Sequence, residues 1–240
     1  MSSTPSPWPE QVTLPGQSHT AEGPHDLTGM FVMHHAFRRD LAAFEAAVRN
    51  TPIGDTGTWR SLQARWTRFG DVLHHHHEIE DVSIWPVLLT QADALGDETG
   101  AGTLAAMAAE HAEIDPSLMA CTAGFQAMVE HPCTDHRNAL DVHVTATRAA
   151  LLEHLAHEER EALPFLQRVM TVEEFAEAER AAQDGYPARM IPFLLPWVTA
   201  GLPAEVAARL LREAGTAYGL LLRLFRPRFS RAEARAFRYT

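Results

Sequence analysis

Six ionisable side chains, His34, His76, Glu80, His111, His154 and Glu158, stand where a helical pattern calls for apolar residues. Residues four apart on a helix share a face, so the His and Glu of each pair, His76 with Glu80 and His154 with Glu158, can reach one centre from adjacent turns. Burying such groups without partners costs about 1 to 3 kcal/mol apiece, more if charged, and something must offset that loss. A pair of cations does so, since imidazole with carboxylate suits iron and helix-bundle cores are where dinuclear sites are built. Glutamate can bridge two metals while each histidine serves as a terminal ligand. Zinc settles for tetrahedral mononuclear sites, and a dinuclear hydrolase shows more carboxylates, so iron is expected over zinc, with manganese as the alternative. Such a donor set leaves coordination positions open for dioxygen, peroxide, hydroxide or nitric oxide.

Four amphipathic seams position these groups. The first starts near Asp26, an expected N-cap, and runs Leu27, Met30, His34, Phe37, Leu41, Phe44, Val48; the second runs Trp59, Leu62, Trp66, Phe69, Leu73, His76, Glu80, Ser83. The third reads Leu104, Met107, His111, Ile114, Leu118, Cys121, Phe125, Met128, and the fourth Leu140, Val144, Thr147, Leu151, His154, Glu158 and Phe165. Breaks at Asn50–Gly57, Gly96–Gly102 and His131-Pro132 separate them. The fold expected is all-α, an up-down-up-down antiparallel four-helix bundle with additional C-terminal helix or helices. At a rise of roughly 1.5 Å per residue, the four seam histidines then come to one level. The halves also repeat: His76–Leu88 and His154–Leu166 align at an offset of 78 as HxxxE, a second acid (Asp81, Glu159), then Trp85-Pro86 and Leu163-Pro164. Such a duplication produces a two-fold related metal pair.

The neighbouring residues carry blander expectations. His74, His75 and His77 flank the seam and read as solvated or supporting residues, His157 as supporting or surface, His35 as off the seam, and His25 and His143 as surface or capping. Asp81 and Glu159 should face away from the acids they follow, as solvated or salt-bridging groups. Trp66, Phe69 and Trp85 read as core. Pro86 and Pro164 should kink or end their helices. No tyrosine precedes Gly185, so the bundle offers no tyrosyl partner to the metals.

Composition bounds the rest. A chain of 240 residues, 46% hydrophobic, supports one sizeable core with an appendage. The division expected is a disordered lead over 1–24, the four-helix bundle over 25–172, and a helical extension with a basic tail over 173–240. A net charge of -11, with no lysine, disfavours nucleic acid as a partner. The apolar stretch Ile191–Val198 is too short for a membrane span, and Met1–Gly23 lacks the basic and apolar regions of a signal peptide. Two cysteines, Cys121 and Cys133, read as packing residues in a reducing, cytoplasmic setting. From Arg209 to Arg238, eight arginines face only Glu213 and Glu233, and an apolar side of leucines suggests packing on the bundle or a homodimer contact; an acidic partner or membrane headgroup is the sharper reading.

The segments HHAFRRDL (His34), HHEIEDVSIWP (His76, Glu80), AEHAEIDP (His111) and HLAHEEREALP (His154, Glu158) spell H, HxxxE, H, HxxxE in order on four helices. In this the sequence resembles the hemerythrin-like, or HHE cation-binding, family over roughly Asp26–Met170. The resemblance implies two non-haem iron ions, oxo- or hydroxo-bridged, with two bridging glutamates and four terminal histidines. The oxygen-carrying members place a second histidine where Asp115 stands, and their fourth-helix acid lies five rather than four positions after its histidine. The sequence is therefore more similar to the bacterial hemerythrin-like proteins, whose behaviours span peroxide decomposition, nitric oxide chemistry, and oxygen or iron sensing. The function implied is binding of, or reaction with, dioxygen, peroxide or nitric oxide; an iron or oxygen sensor without turnover is the alternative. An oxygenase is a weaker third reading, because it needs a pocket beside the metals.

Overall fold

The computed structural model describes residues 7–240; residues 1–6, the start of the lead expected to be disordered, lie outside it. Among the described residues the chain is all-α and contains no strand. Four long rods form an antiparallel bundle. The first is α1 (Thr28–Asn50). The second runs from α2 (Thr56–Ile79) through a π-helical turn (Glu80–Ile84) into α3 (Trp85–Leu95). The third is α4 (Glu98–Glu130), and the fourth runs from α5 (Thr134–His157) through a second π-helical turn (Glu158–Ala162) into α6 (Leu163–Val169).

The boundaries follow local chemistry. Asp55 accepts the Thr58 amide at the start of α2 and Asp97 the Gly100 amide at the start of α4, each satisfying a donor the first turn leaves open. Gly96 closes α3 with φ +64°, a left-handed conformation that favours glycine. Asp26 is not the N-cap residue of α1; Leu27 holds that position, and Asp26 reaches forward to accept the Thr28 amide at 2.9 Å. Pro86 and Pro164 do not end their rods, which stay helical across them. Each follows a π turn, in which Trp85 N–H bonds the Glu80 carbonyl and Leu163 N–H bonds the Glu158 carbonyl. The wider turn absorbs the amide that proline lacks and the bulk of its ring.

The predicted seams form the core. Phe37, Leu41, Phe44, Trp66, Phe69, Phe125, Val144 and Leu151 are fully buried or nearly so. Phe44 meets Trp66, Phe69 and Phe125 with ring centroids 5.0 to 5.8 Å apart, the spacing of edge-on aromatic packing.

Residues 7–24 are not the loose lead that their composition suggests. Val12, Leu14 and Ala21 are buried, and glutamine side chains satisfy the backbone of the segment. Gln167 accepts the His25 amide at 2.9 Å and donates to the carbonyls of Ala21 and His25, while Gln11 donates to the His25 carbonyl at 2.7 Å. A Cβ at Gly23 would lie 2.4 Å from Gln167, so this close crossing requires glycine.

Beyond the bundle, α7 (Val172–Gly185), α8 (Ile191–Thr199), α9 (Ala204–Glu213) and α10 (Gly215–Ala236) wrap back onto it, with α8 against α1 and α10, and α10 against α2. The clasp is partly ionic. Asp40 of α1 accepts the Trp197 indole N–H at 2.7 Å and pairs with Arg65, which also donates to Glu233 of α10 at 2.5 Å. Arg65 and Asp40 are 3% and 1% exposed. Arg68, Arg189, Arg228, Arg231 and Arg235 gather around a surface cleft between α2, α8 and α10. Among the described residues no helix is long and apolar enough to cross a membrane.

Removing the shared acid leaves the buried Arg65 guanidinium with Glu233 alone and the Trp197 indole N–H without its acceptor. Asp40→Ala should lower the free energy of unfolding by about 1 to 3 kcal/mol, read from the urea midpoint, while Arg49→Ala, at an exposed pair, should change it by less than about 1 kcal/mol.

Candidate metal centre

All six sequence-predicted residues converge in the middle of the bundle. His34 enters from α1, His76 from the last turn of α2, Glu80 from the first π turn, His111 from α4, His154 from α5 and Glu158 from the second π turn. Each is at most 6% exposed. His34 Nε2 lies 3.1 Å from Glu158, His76 Nε2 3.0 Å from Glu80, and His111 Nε2 3.5 Å from the other oxygen of Glu80.

The structure adds a seventh group. His77, expected outside the seam, is 4% exposed and stacks on His111 with ring centroids 4.0 Å apart. Two donor groups result, each with its atoms within 4.8 Å of one another: His34, His76, Glu80 and Glu158, and His77, Glu80, His111 and His154. Glu80 belongs to both.

These donors fit a metal. The Nε2 atoms of His34, His76 and His77 and both carboxylate oxygens of Glu80 and Glu158 are buried without hydrogen-bond partners. Such a cluster of desolvated lone pairs is costly unless a cation satisfies it. At His76 the electrostatics agree. Burial, followed by the neighbouring His34, pushes His76 down to about 3, which keeps it the neutral imidazole a metal requires. Burial and the adjacent Glu158 raise Glu80 well above the usual carboxylate range. Glu158 is instead drawn down to about 2: burial opposes its charge, but His34 outweighs that. His34, against its own desolvation, is raised to about 9 by Glu158 and Glu159, so a metal bound there must displace a proton.

A ring of outer carboxylates orients the imidazoles. His34 Nδ1 lies 3.0 Å from Glu159, His111 Nδ1 3.0 Å from Asp81, and His154 Nδ1 2.8 Å from Glu110. A carboxylate only accepts, so each holds a proton on Nδ1 and turns Nε2 inward. Both acids are salt-bridging, as expected; Asp81 is 40% exposed, whereas Glu159 is fully buried and does not face away from the centre. In each wide π turn the second acid crosses to a histidine of the opposite helix pair, Glu159 from the interior and Asp81 from the solvent-exposed edge. Glu159 also accepts two N–H groups of Arg38 and the amide of Ser18, tying the N-terminal segment to the centre.

The other histidines divide. His157 donates to Glu110 at 2.7 Å, as a supporting residue, and His143 is exposed. His25 is buried rather than at the surface, with Nε2 2.9 Å from the Met170 carbonyl, and His35 is buried beside the carbonyls of Pro15 and Gly201. His75 packs on Tyr186 with ring centroids 4.4 Å apart. Tyr186 follows α7 and lines a cavity together with His76 and Glu80, so the extension supplies the tyrosine that the bundle lacks.

The hemerythrin HHE cation-binding domain matches residues 25–166, more than half of the chain, and the chain belongs to that family. Neither a curated protein nor a solved structure matches it.

Glu159 links His34, Arg38 and Ser18, so its loss should be felt along the segment it anchors. Glu159→Ala should lower stability by ~2 kcal/mol and expose residues 7–24 to limited proteolysis in the metal-free protein. Glu153→Ala, an exposed acid, should leave the cleavage pattern unchanged.

Proposed function

We propose that, as a member of the HHE cation-binding family, this chain holds two iron ions in its bundle core and binds or reacts with dioxygen, peroxide or nitric oxide there. The observation that carries this reading is the convergence of seven buried donors, most of whose inward atoms have no protein hydrogen-bond partner, in two groups that share Glu80. His34, His76, Glu80 and Glu158 would hold one ion, and His77, Glu80, His111 and His154 the other. Glu80 would bridge them, and five imidazoles would serve rather than the four expected from the seams. When bound, the iron pair supplies one-electron chemistry and open positions for a small oxidant or diatomic ligand.

The protein's own contribution is positional and electrostatic. Glu159, Asp81 and Glu110 fix the tautomer and direction of three imidazoles. Phe37, fully buried with its ring 5.2 Å from that of His76, keeps water from one side. The two free cysteines fit a cytoplasmic setting. The exposed leucines Leu220 and Leu224 on α10 support a homodimer through the C-terminal extension.

One observation favours the sensing alternative. The chain of contacts from His34 through Glu159 to the Ser18 amide would pass a change at the centre to the N-terminal segment.

After anaerobic loading with ferrous iron, elemental analysis should find two irons per chain. His76→Ala, His77→Ala and Glu158→Ala should each lose most of that metal, whereas His75→Ala should keep it. Consumption of peroxide or nitric oxide by the loaded protein supports the reactive reading. Its absence, with iron-dependent protection of residues 7–24 from proteolysis, supports the sensor.

A further inference from the structure

The duplication that relates the two halves of the centre breaks on one side. In the α4–α5 half, Glu110 precedes His111 and accepts from both His154 and His157. In the α1–α2 half, the aligned positions are Met33, before His34, and Ile79, three residues after His76. An acid and an imidazole on one side are thus two apolar side chains on the other. Met33 and Ile79 line a cavity of about 450 Å³ whose inner end is formed by His76 and Glu80.

The size of this space is informative. Dioxygen or peroxide needs about the room of one water, ~30 Å³. A volume of 450 Å³ falls instead in the range of sites for small organic molecules, about 300 to 1,000 Å³. Its walls are apolar, with Met30, Ile84, Leu166, Phe175 and Leu194 drawn from α1, the first π turn, α6, α7 and α8. Bundle and extension build it jointly. The Tyr186 phenol stands on the wall and gives an organic ligand one hydrogen-bonding group.

Charge narrows the class. The ionisable carboxylates lining the cavity are Asp26, Glu179 and, at the inner end, Glu80, and no arginine lines it among the described residues. Asp26 is paired with Arg209 at 2.8 Å, which leaves the exposed Glu179 to set the potential of the mouth. An anionic ligand meets repulsion there, whereas a neutral or amine-bearing one does not.

We propose that this cavity binds a neutral or cationic apolar organic molecule, its body along Met30, Met33 and Phe175 and one end against the His76–Glu80 edge of the centre. That this edge carries metal rests on the function proposed above; occupancy of the cavity does not.

The test is calorimetric titration of octanol, octylamine and octanoate into the metal-free and the iron-loaded protein, with iron content measured separately. Octanol and octylamine should bind saturably to both forms, octanoate at least about tenfold more weakly. Gly29→Phe and Ala182→Phe should each weaken octanol by about tenfold or more and leave iron content and helical circular dichroism unchanged. Both positions line the cavity, and a Cβ at Gly29 meets no atom within 4 Å. Octanol should also shift the imidazole resonances of His76 in the metal-free protein. The proposal is overturned by absence of saturable octanol and octylamine binding, by unchanged affinity in both folded variants, by octanoate binding equally well, or by an unmoved His76. Octanol binding to a wild-type protein that takes up no iron would support the cavity and remove only the metal reading. Full iron loading without octanol binding would do the reverse.

Discussion

Seven side chains that water would ordinarily solvate are buried at the centre of this bundle, and most of their inward atoms have no hydrogen-bond partner in the protein. At about 1 to 3 kcal/mol for each unsatisfied group, the penalty is comparable with the whole stability of a typical domain. The surrounding architecture serves to hold those atoms in place. The π turns bring Glu80 and Glu158 inward, with Glu159 buried behind them and Asp81 at the exposed edge. Those outer acids fix the imidazoles, and Glu159 in turn anchors Arg38 and Ser18. A cation satisfying the inner atoms therefore stabilises the bundle and its N-terminal covering through one connected set of contacts.

The duplication gives this arrangement its symmetry, and its departures give it direction. Equivalent acids, Asp81 and Glu159, cross between helix pairs in both halves. His77, by contrast, has Leu155 as its counterpart, and Glu110 has Met33. One donor group is thus richer in imidazole and closed by an ionic shell, while the other borders an apolar cavity. The extension makes that second side what it is: α7 and α8 roof the cavity, and the Asp40, Arg65 and Trp197 clasp holds α8 against α1.

Much of this was legible in the residues. A histidine or glutamate in a run of Leu, Phe and Trp at helical spacing is conspicuous, and the six seam residues all reach the centre. His77 was not legible because a heptad seam admits one of two consecutive residues, whereas a centre with two donor groups has room for both. The outer acids were missed because regular α-helical geometry turns the residue after Glu80 or Glu158 away from the seam. The signal was Pro86 and Pro164, each six residues past an inner acid, whose missing amides favour a local departure from the α-helical ladder. The N-terminal segment was misread because composition reports helix-forming tendency and not side-chain clamps; Gln11 and Gln167 supply the hydrogen bonds that a helix or strand would have supplied. Tyr186 is distant in sequence from the ligand motifs, and only the fold of α7 brings it near them.

The central claim is that the unpartnered donors exist to hold a pair of cations sharing Glu80. It is tested most directly by titrating ferrous iron anaerobically into the metal-free protein, oxidising it, and recording low-temperature Mössbauer spectra in zero and applied field. The account predicts saturation at two irons per chain and a diamagnetic ground state from two coupled ferric ions. Saturation at one iron or none, or two ferric ions that are magnetically independent, would contradict it.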